Sequence, residues 1–552
     1  MACGAPLVPR YALGMHDSGP RWWQTGVVYQ VYPRSFADAN GDGTGDLRGI
    51  TGRLDYLAWL GVDAIWISPF YPSPMADFGY DVADYTDVDP LFGTLDDFDE
   101  LLAAAHERDI RVVVDYVPNH TSERHPWFVE SRSSRHNPKA DWYVWRDPKP
   151  DGSLPNNWIS MFAGPTWTWD ETRKQYYLHI FLPEQPDLNW RNPEVRAAMF
   201  DVARFWLDRG VDGFRIDVAP MVMKDPELRD NPPNPNPGRE WSRLGSWLTQ
   251  LHVNDHNHPD MHELYRSFRA MLDAYPGDRV SIGELHHPDF DRWAEYYGER
   301  QDEIHVPFNF HVVNSPWRAD GVRRAVEGVQ AALPPGAWAS WVLGNHDQPR
   351  FASPERAGRD QARVGMLMLL TLRGTPTIYY GEEIGMVDVP VATADARDPL
   401  EGREPGRGRD GCRSPMQWDA SPHAGFTAAG VQPWLPLAPD YADVNVAGQA
   451  EDPDSMLTLT RDLLRLRREH PVLYRGDFER FGPTPEGTFA FRRIGSEGRL
   501  SVLLNLTAEP REVRDGGPGE VLIGTHRDRD GQSVSRVVEL RPNEAVVVEE
   551  AG

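Results

Sequence analysis

FDELLAAAHERDIRVVVDYVPNH (98–120) decides the fold. Its first half, FDELLAAAHERD (98–109), spaces its apolar residues for one face of a helix. Its second half, IRVVVDYV (110–117), is a continuous apolar run ended by Pro118, as in a strand buried on both faces. A helix running straight into such a strand is the unit of a parallel sheet wrapped by helices. The strand ends in polar residues, Asp115 and His120 among them.

Working outward, the same rhythm recurs. VVYQVYPRSF (27–36) and DAIWISPF (63–70) read as strands, separated by a helix, LRGITGRLDYLAWLG (47–61), that Gly61 stops. Downstream come the helix PEVRAAMFDVARFWLDRG (193–210) and the strand GFRIDVA (213–219). SIGEL (281–285), PFNF (307–310), WASWVLGN (338–345) and TPTIYYGEE (375–383) complete the series. Eight strands are the number that closes a barrel. The expected fold is therefore α/β: a (β/α)8 TIM barrel over 1–118 and 190–470. A small inserted domain after strand three, 119–189, is rich in Trp, Pro, Asn and Ser. From about residue 470 short strands take over, FAFRRI (489–494) and LSVLLNL (500–506) first, which predicts a C-terminal antiparallel β-sandwich over 471–552. Two further irregular excursions, 221–261 and 384–452, are long enough to be functional walls or lids.

The chain has 552 residues with 57 Lys+Arg against 83 Asp+Glu, a net charge of -26. That balance excludes nucleic acid and anionic membrane as partners, since both require a basic face. Two cysteines, Cys3 and Cys412, cannot build a disulfide framework and suit a reducing compartment. The first twenty residues hold no apolar stretch of secretory type, and no window reaches membrane-span length. The expectation is a cytoplasmic enzyme with a short disordered leader, as monomer or homodimer.

Four strand-end runs carry the chemistry: DYVPNH (115–120), GFRIDV (213–218), GELHH (283–287) and GNHDQ (344–348). They place Asp217, Glu284 and Asp347 at strand ends, 67 and 63 residues apart, which fits about two β/α units each. Acids converging at the C-terminal mouth of a barrel read as an active site. In GFRIDV, Arg215 and Asp217 point the same way, so the guanidinium should keep Asp217 ionised, as a nucleophile must be. Burial among other carboxylates should raise Glu284 into the range of a general acid. Asp347 supplies a third negative group beside a distorted sugar ring. Two carboxylates flanking one bond are the minimum for glycoside hydrolysis with retention.

These runs, in this order, resemble the conserved regions of the α-amylase superfamily, glycoside hydrolase family 13. QPDLNW (185–190) and RSPMQWD (413–419) resemble its α-glucosidase and oligo-1,6-glucosidase branch. The resemblance implies Asp217 as nucleophile, Glu284 as acid/base and Asp347 as transition-state stabiliser. It implies that Arg215, His120 and His346 bind the innermost glucosyl unit. Asp77 and Tyr80 of DFGYD would hold its far hydroxyls, Arg413 would complete the pocket, and Asp115 would be structural. Phe162, Phe181 and Trp190 are open between core packing and substrate contact.

DANGDGTGD (38–46) sets Asp38, Asn40, Asp42 and Asp46 at positions 1, 3, 5 and 9, with the Thr44 carbonyl at 7. This is an oxygen-donor pattern for Ca²⁺. Position 12 is Gly49, so it is no EF-hand; in the resembled glucosidases this loop holds structural Ca²⁺ or Mg²⁺.

The branch implies a pocket enzyme that releases terminal α-glucose from a small oligosaccharide or disaccharide, with possible transfer to other hydroxyls. Val218 after the nucleophile matches α-1,6-preferring members, but the following APMVMKDPELRDNPPNP is closer to maltose-type α-glucosidases. Trehalose- or sucrose-acting enzymes of the same family share the trio and stay open. Non-catalytic transporter-accessory homologues carry a membrane anchor and lack the trio that this chain keeps.

Overall fold

The computed structural model describes residues 19–236, 242–514 and 518–551. The leader with Cys3, and residues 237–241 of the 221–261 excursion, lie outside them. Eight parallel strands form the central sheet. They are β1 (Val28–Val31), β2 (Ala64–Ile67), β3 (Arg111–Tyr116), β4 (Gly213–Ile216), β5 (Val280–Leu285), β6 (Val306–Asn309), β7 (Ser340–Val342) and β8 (Thr375–Tyr379). Spatial order follows chain order, and β8 pairs with both β7 and β1. The remaining seam, β6 to β7, is bridged by the Asn309 side-chain amide, which donates to the Ser340 carbonyl. The expected (β/α)8 barrel is present.

Alternation along each strand sorts the apolar residues into two sets. Val28, Trp66, Val113, Ile282, Phe308 and Val342 pack together inside the barrel. Tyr29, Ile65, Ile67, Val112, Val114 and Phe214 face the surrounding helices. The same period fixes the polar ends. Asp115 follows Val113, Arg215 follows Gly213, and Glu284 follows Ile282, so all three carry the inward face to the C-terminal mouth. Asp115 and Arg215 are register partners. Gly213 has to be glycine: a Cβ there would come within 2.3 Å of the Val280 carbonyl oxygen on the next strand.

The helices start and stop on local chemistry. Thr94 and Asp97 form a reciprocal capping box at the head of Leu95–His106. Asn192 caps Pro193–Arg209, which ends on Gly210 at φ 107°. Two segments differ from the sequence reading. LRGITGRLDYLAWLG breaks into Leu47–Thr51 and Leu54–Leu60, with Gly52 and Arg53 between them. Pro33–Phe36 is a helical turn begun by proline at its first position, not an extension of β1.

Between β3 and β4 lies a three-stranded antiparallel sheet of Trp145–Arg146, Gln175–Leu178 and Trp167–Asp170. After the barrel, a six-stranded antiparallel sheet faces a two-stranded one, Arg511–Arg514 with Val537–Leu540. The larger sheet is buried on both sides. Phe489, Phe491, Val502 and Val547 join the barrel's outer core. Their alternates Ala490, Leu503, Val546 and Val548 pack on Val513, Val538 and Leu540 of the smaller sheet. Among the described residues no helix is long and apolar enough to cross a membrane.

Candidate active site

Arg215 is the hub of the barrel mouth. It is 2% exposed in its side chain and lies over the Trp66 ring, 4.9 Å from its centroid. Its Nη1 is 3.0 Å from Asp115 Oδ1 and 2.6 Å from Asp217 Oδ1, and its Nη2 is 2.6 Å from Glu284 Oε2. One cation therefore serves three carboxylates. Asp115 is further held by the Trp66 indole N–H at 2.9 Å and the Tyr80 hydroxyl at 3.2 Å.

Arg215, burial and neighbouring charge act on both carboxyls of the pair. Glu284 collects three donors: Arg215, the Val218 amide at 3.1 Å, and His286 Nε2 at 3.1 Å. Burial pushes its carboxyl up, but Arg215 and His286 outweigh burial and hold it below the usual range. Asp217 shares Arg215 alone. Burial and the negative charges of Glu284 and Asp115 overcome that guanidinium and raise Asp217 well above an ordinary aspartate. The carboxylates titrate as a set.

Val218 lies in the left-handed region, φ 37° and ψ 46°. That conformation is strained for a β-branched side chain. It aims the Val218 N–H at Glu284 and turns the side chain into the pocket wall.

His346 and Asp347 sit on the loop after β7. The His346 ring lies parallel to Tyr80, planes within 3° and centroids 5.4 Å apart. Its Nδ1 is 2.7 Å from the Gln30 amide and its Nε2 2.8 Å from the Tyr80 hydroxyl. Burial lowers its pKa to about 3, so the ring is neutral. An amide donor on Nδ1 puts the remaining proton on Nε2. His120, buried beside Phe181, is also neutral, lowered to about 3 by burial and by Lys224. Asp347 takes Arg413 Nη2 at 2.9 Å and Arg409 Nη1 at 3.1 Å. Although burial acts the other way, these arginines hold it far below the usual range.

These groups surround a single pocket. Asp77, Tyr80, His120, Phe162, Phe181, Asp217, Glu284 and Asp347 all line it. Three other candidates stand behind the lining. Arg215 and His346 act on the wall residues from beneath. Arg413, 1% exposed, grips the His346 carbonyl at 2.8 Å and Asp347. The wall place expected for Arg413 belongs to Arg409, four residues earlier. Arg409 spans Asp77 at 2.7 Å and Asp347, and is itself clamped by Asp398 at 2.8 Å. Its guanidinium lies over the Phe162 ring at 5.2 Å. Trp190 is core, its indole donating to the Pro118 carbonyl at 2.7 Å. Gln185, His286, Gln348 and Asn314 also line the pocket, and sequence reasoning assigned none of them a role. Gln185 and His286 lie inside motifs already quoted; Asp398 and Asn314 had no signal.

The 38–46 loop is tied by its own amides and to the 426–434 segment, where Thr427 donates to Asp38. Asp38 accepts the N–H groups of Gly41 and Gly43 at 2.6 and 2.8 Å. Asn40 accepts from the Asp42 amide, and Asp42 from the Thr44 amide. Asp46 caps the next helix through the Gly49 N–H at 2.7 Å and takes Ala39 and Asn40 N–H groups on its other oxygen. Its oxygen donors suit a hard cation by type. Among the described residues, however, no three His, Cys, Asp or Glu side chains gather as a metal set.

A family model described as "Alpha-amylase: Alpha amylase, catalytic domain" matches residues 30–476. A "Probable alpha-glucosidase" of Rhizobium meliloti (strain 1021) is 46% identical over 502 residues, covering 88% of this chain and 90% of that relative. The oligo-1,6-glucosidase of Parageobacillus thermoglucosidasius is 37% identical over 570 residues, covering 95% and 98%. The crystal structure of the alpha-glucosyl transfer enzyme XgtA superposes with a TM-score of 0.90 at 41% identity, covering 97% of this chain and all of that one. The chain belongs to the alpha-amylase family and is a glycoside hydrolase of its α-glucosidase and oligo-1,6-glucosidase branch.

Proposed function

We propose that the protein is an exo-acting, retaining α-glucosidase that removes terminal non-reducing α-D-glucose from short α-glucosides. The observation that carries this reading is Arg215 reaching Asp217 and Glu284 with its two terminal nitrogens, each at 2.6 Å. Two carboxyls tied to one guanidinium favour the close spacing, about 5 Å, of a retaining pair over the roughly 6.5–9.5 Å gap that an attacking water needs. Asp217 attacks C1 while Glu284 gives its proton to the glycosidic oxygen, which leaves with the bond electrons. Water then enters, Glu284 takes its proton, and the ester to Asp217 breaks. The first step requires Glu284 protonated and Asp217 ionised.

The Arg409–Asp77 pair supports an exo mode, because it seals one end of the pocket and places donors and acceptors for the hydroxyls of a terminal ring. The apolar stretch of wall, Met161, Leu244 and Leu400 with the two phenylalanines, favours glucosyl transfer to hydroxyl acceptors beside hydrolysis. In the same proposal Asp38, Asn40, Asp42, Asp46 and the Thr44 carbonyl hold a structural Ca²⁺ or Mg²⁺ that acts on stability alone.

Initial glucose release from maltose, isomaltose, trehalose and sucrose, measured in parallel, tests the reading. Turnover of maltose or isomaltose with release of the α-anomer supports it. Release of the β-anomer, or turnover of trehalose or sucrose alone, overturns it.

A further inference from the structure

Beside Glu284 stands a histidine that the steps above do not use. His286 lies two residues beyond Glu284, at the end of β5, and lines the pocket. Its Nε2 is 3.1 Å from Glu284 Oε1. Its ring lies flat on Phe310, centroids 4.1 Å apart and planes within 16°, and Phe310 is fully buried. The imidazole is thus fixed in plane by a side chain that cannot move aside.

The two oxygens of Glu284 are managed separately. Oε2 is turned to Arg215, behind the wall, and to the Val218 amide. Oε1 is turned to His286, in the wall. A carboxyl held at both ends cannot rotate, and proton transfer in a glycosidase depends on where one carboxyl oxygen points.

We propose that His286 is a positioning residue for Glu284: stacked on Phe310, it fixes Oε1 toward the glycosidic oxygen, and it matters in proportion to the leaving group's need for a proton. The inference rests on the reading of Glu284 as acid/base. When the C1–O bond breaks, its electrons stay on the departing oxygen and the Oε1 proton follows them. In the return step Oε1 takes a proton from water as that water bonds to C1. His286 itself gives up no proton in either step.

The test compares two substrates on two variants. Maltose or isomaltose, whichever the wild type prefers, leaves as a sugar alkoxide and needs the proton; 4-nitrophenyl α-glucoside leaves as a stable phenolate and does not. His286→Phe keeps a ring on Phe310 but cannot hold Oε1. His286→Gln can still donate. His286→Phe should lower disaccharide kcat/KM by about 10- to 100-fold and aryl-glucoside kcat/KM by less than about threefold, with His286→Gln recovering most of the loss. Should His286→Phe fail to fold, His286→Met, which also cannot donate, replaces it. Equal losses on both substrates would mean that His286 only shapes the wall, and no loss on either would mean that it does nothing for Glu284; both overturn the proposal. Wild-type enzyme inactive on both substrates would instead sink the glucosidase reading.

Discussion

Arg409 Nη2 lies 2.7 Å from Asp77 Oδ1, although 332 residues separate the two in the chain. The same guanidinium reaches Asp347, and Asp398 holds it from behind. Removing it leaves three carboxylates short of a partner, with Asp77 and Asp398 buried, a loss of about 3–5 kcal/mol where such a pair is fully buried. Arg409→Ala should therefore cut kcat/KM on the preferred disaccharide by about a hundredfold or more. Arg409→Lys should recover little, since one ammonium cannot span three acids. Steady-state kinetics of both variants, with melting curves as the folding control, check this.

Asp115 is expected to influence the alkaline limit of activity. Its negative charge is one of the causes that raise Asp217, and it competes with Asp217 for Arg215 Nη1. Asp115→Asn removes the charge and releases the guanidinium, and both changes lower the higher pKa of the pair. The one-proton form is then lost at lower pH. The basic limb of kcat/KM against pH should move down; an unmoved or upward-shifted limb would count against the coupled titration of these carboxylates.

Glu382 makes a separate statement about stability. Burial, aided by Glu383, raises its carboxyl to about 7, against the pull of the Tyr379 N–H and two arginines. A carboxyl raised in the folded state favours the fold most below its unfolded pKa, and that contribution is lost as pH rises through about 7. Glu382→Gln keeps an oxygen for the Tyr379 amide and removes the titration. The variant should gain stability relative to wild type between pH 5 and pH 8, on the order of 1–3 kcal/mol. Thermal melts at the two pH values read the difference directly.

The 38–46 loop is tested by chelation. If it holds a divalent cation, dialysis against EDTA should lower the melting temperature and added Ca²⁺ should restore it. Well below the melt, kcat/KM should stay unchanged, because no carboxylate of the barrel mouth belongs to the loop. A melting temperature indifferent to both treatments would remove the cation from the account.

The barrel was legible because continuous apolar runs such as IRVVVDYV recur at the spacing of β/α units, and period-2 alternation in GFRIDV fixes which of its side chains share a face, independent of distant contacts. That rule put Arg215 and Asp217 on one side, and the two side chains meet at 2.6 Å. Arg409 was not legible: it sits in an irregular segment with no period, and only the folded chain brings it to Asp77. The partners of Glu284 were not legible for a related reason. The sequence shows Arg215 two residues from Asp217, but the amide of Val218 and the imidazole of His286 reach Glu284 only through a strained turn and a stacked ring. The split of 47–61 into two helices was visible in hindsight at Gly52.

The central claim is that Asp217 forms a covalent bond to the sugar. The most direct measurement is peptide mass spectrometry after incubation with a slowly released 5-fluoro-α-glucosyl donor. A fluoroglucosyl adduct on the peptide that contains Asp217, absent in Asp217→Asn, is the predicted result. Time-dependent inactivation with the adduct on another residue, or full turnover by Asp217→Asn, would contradict the account.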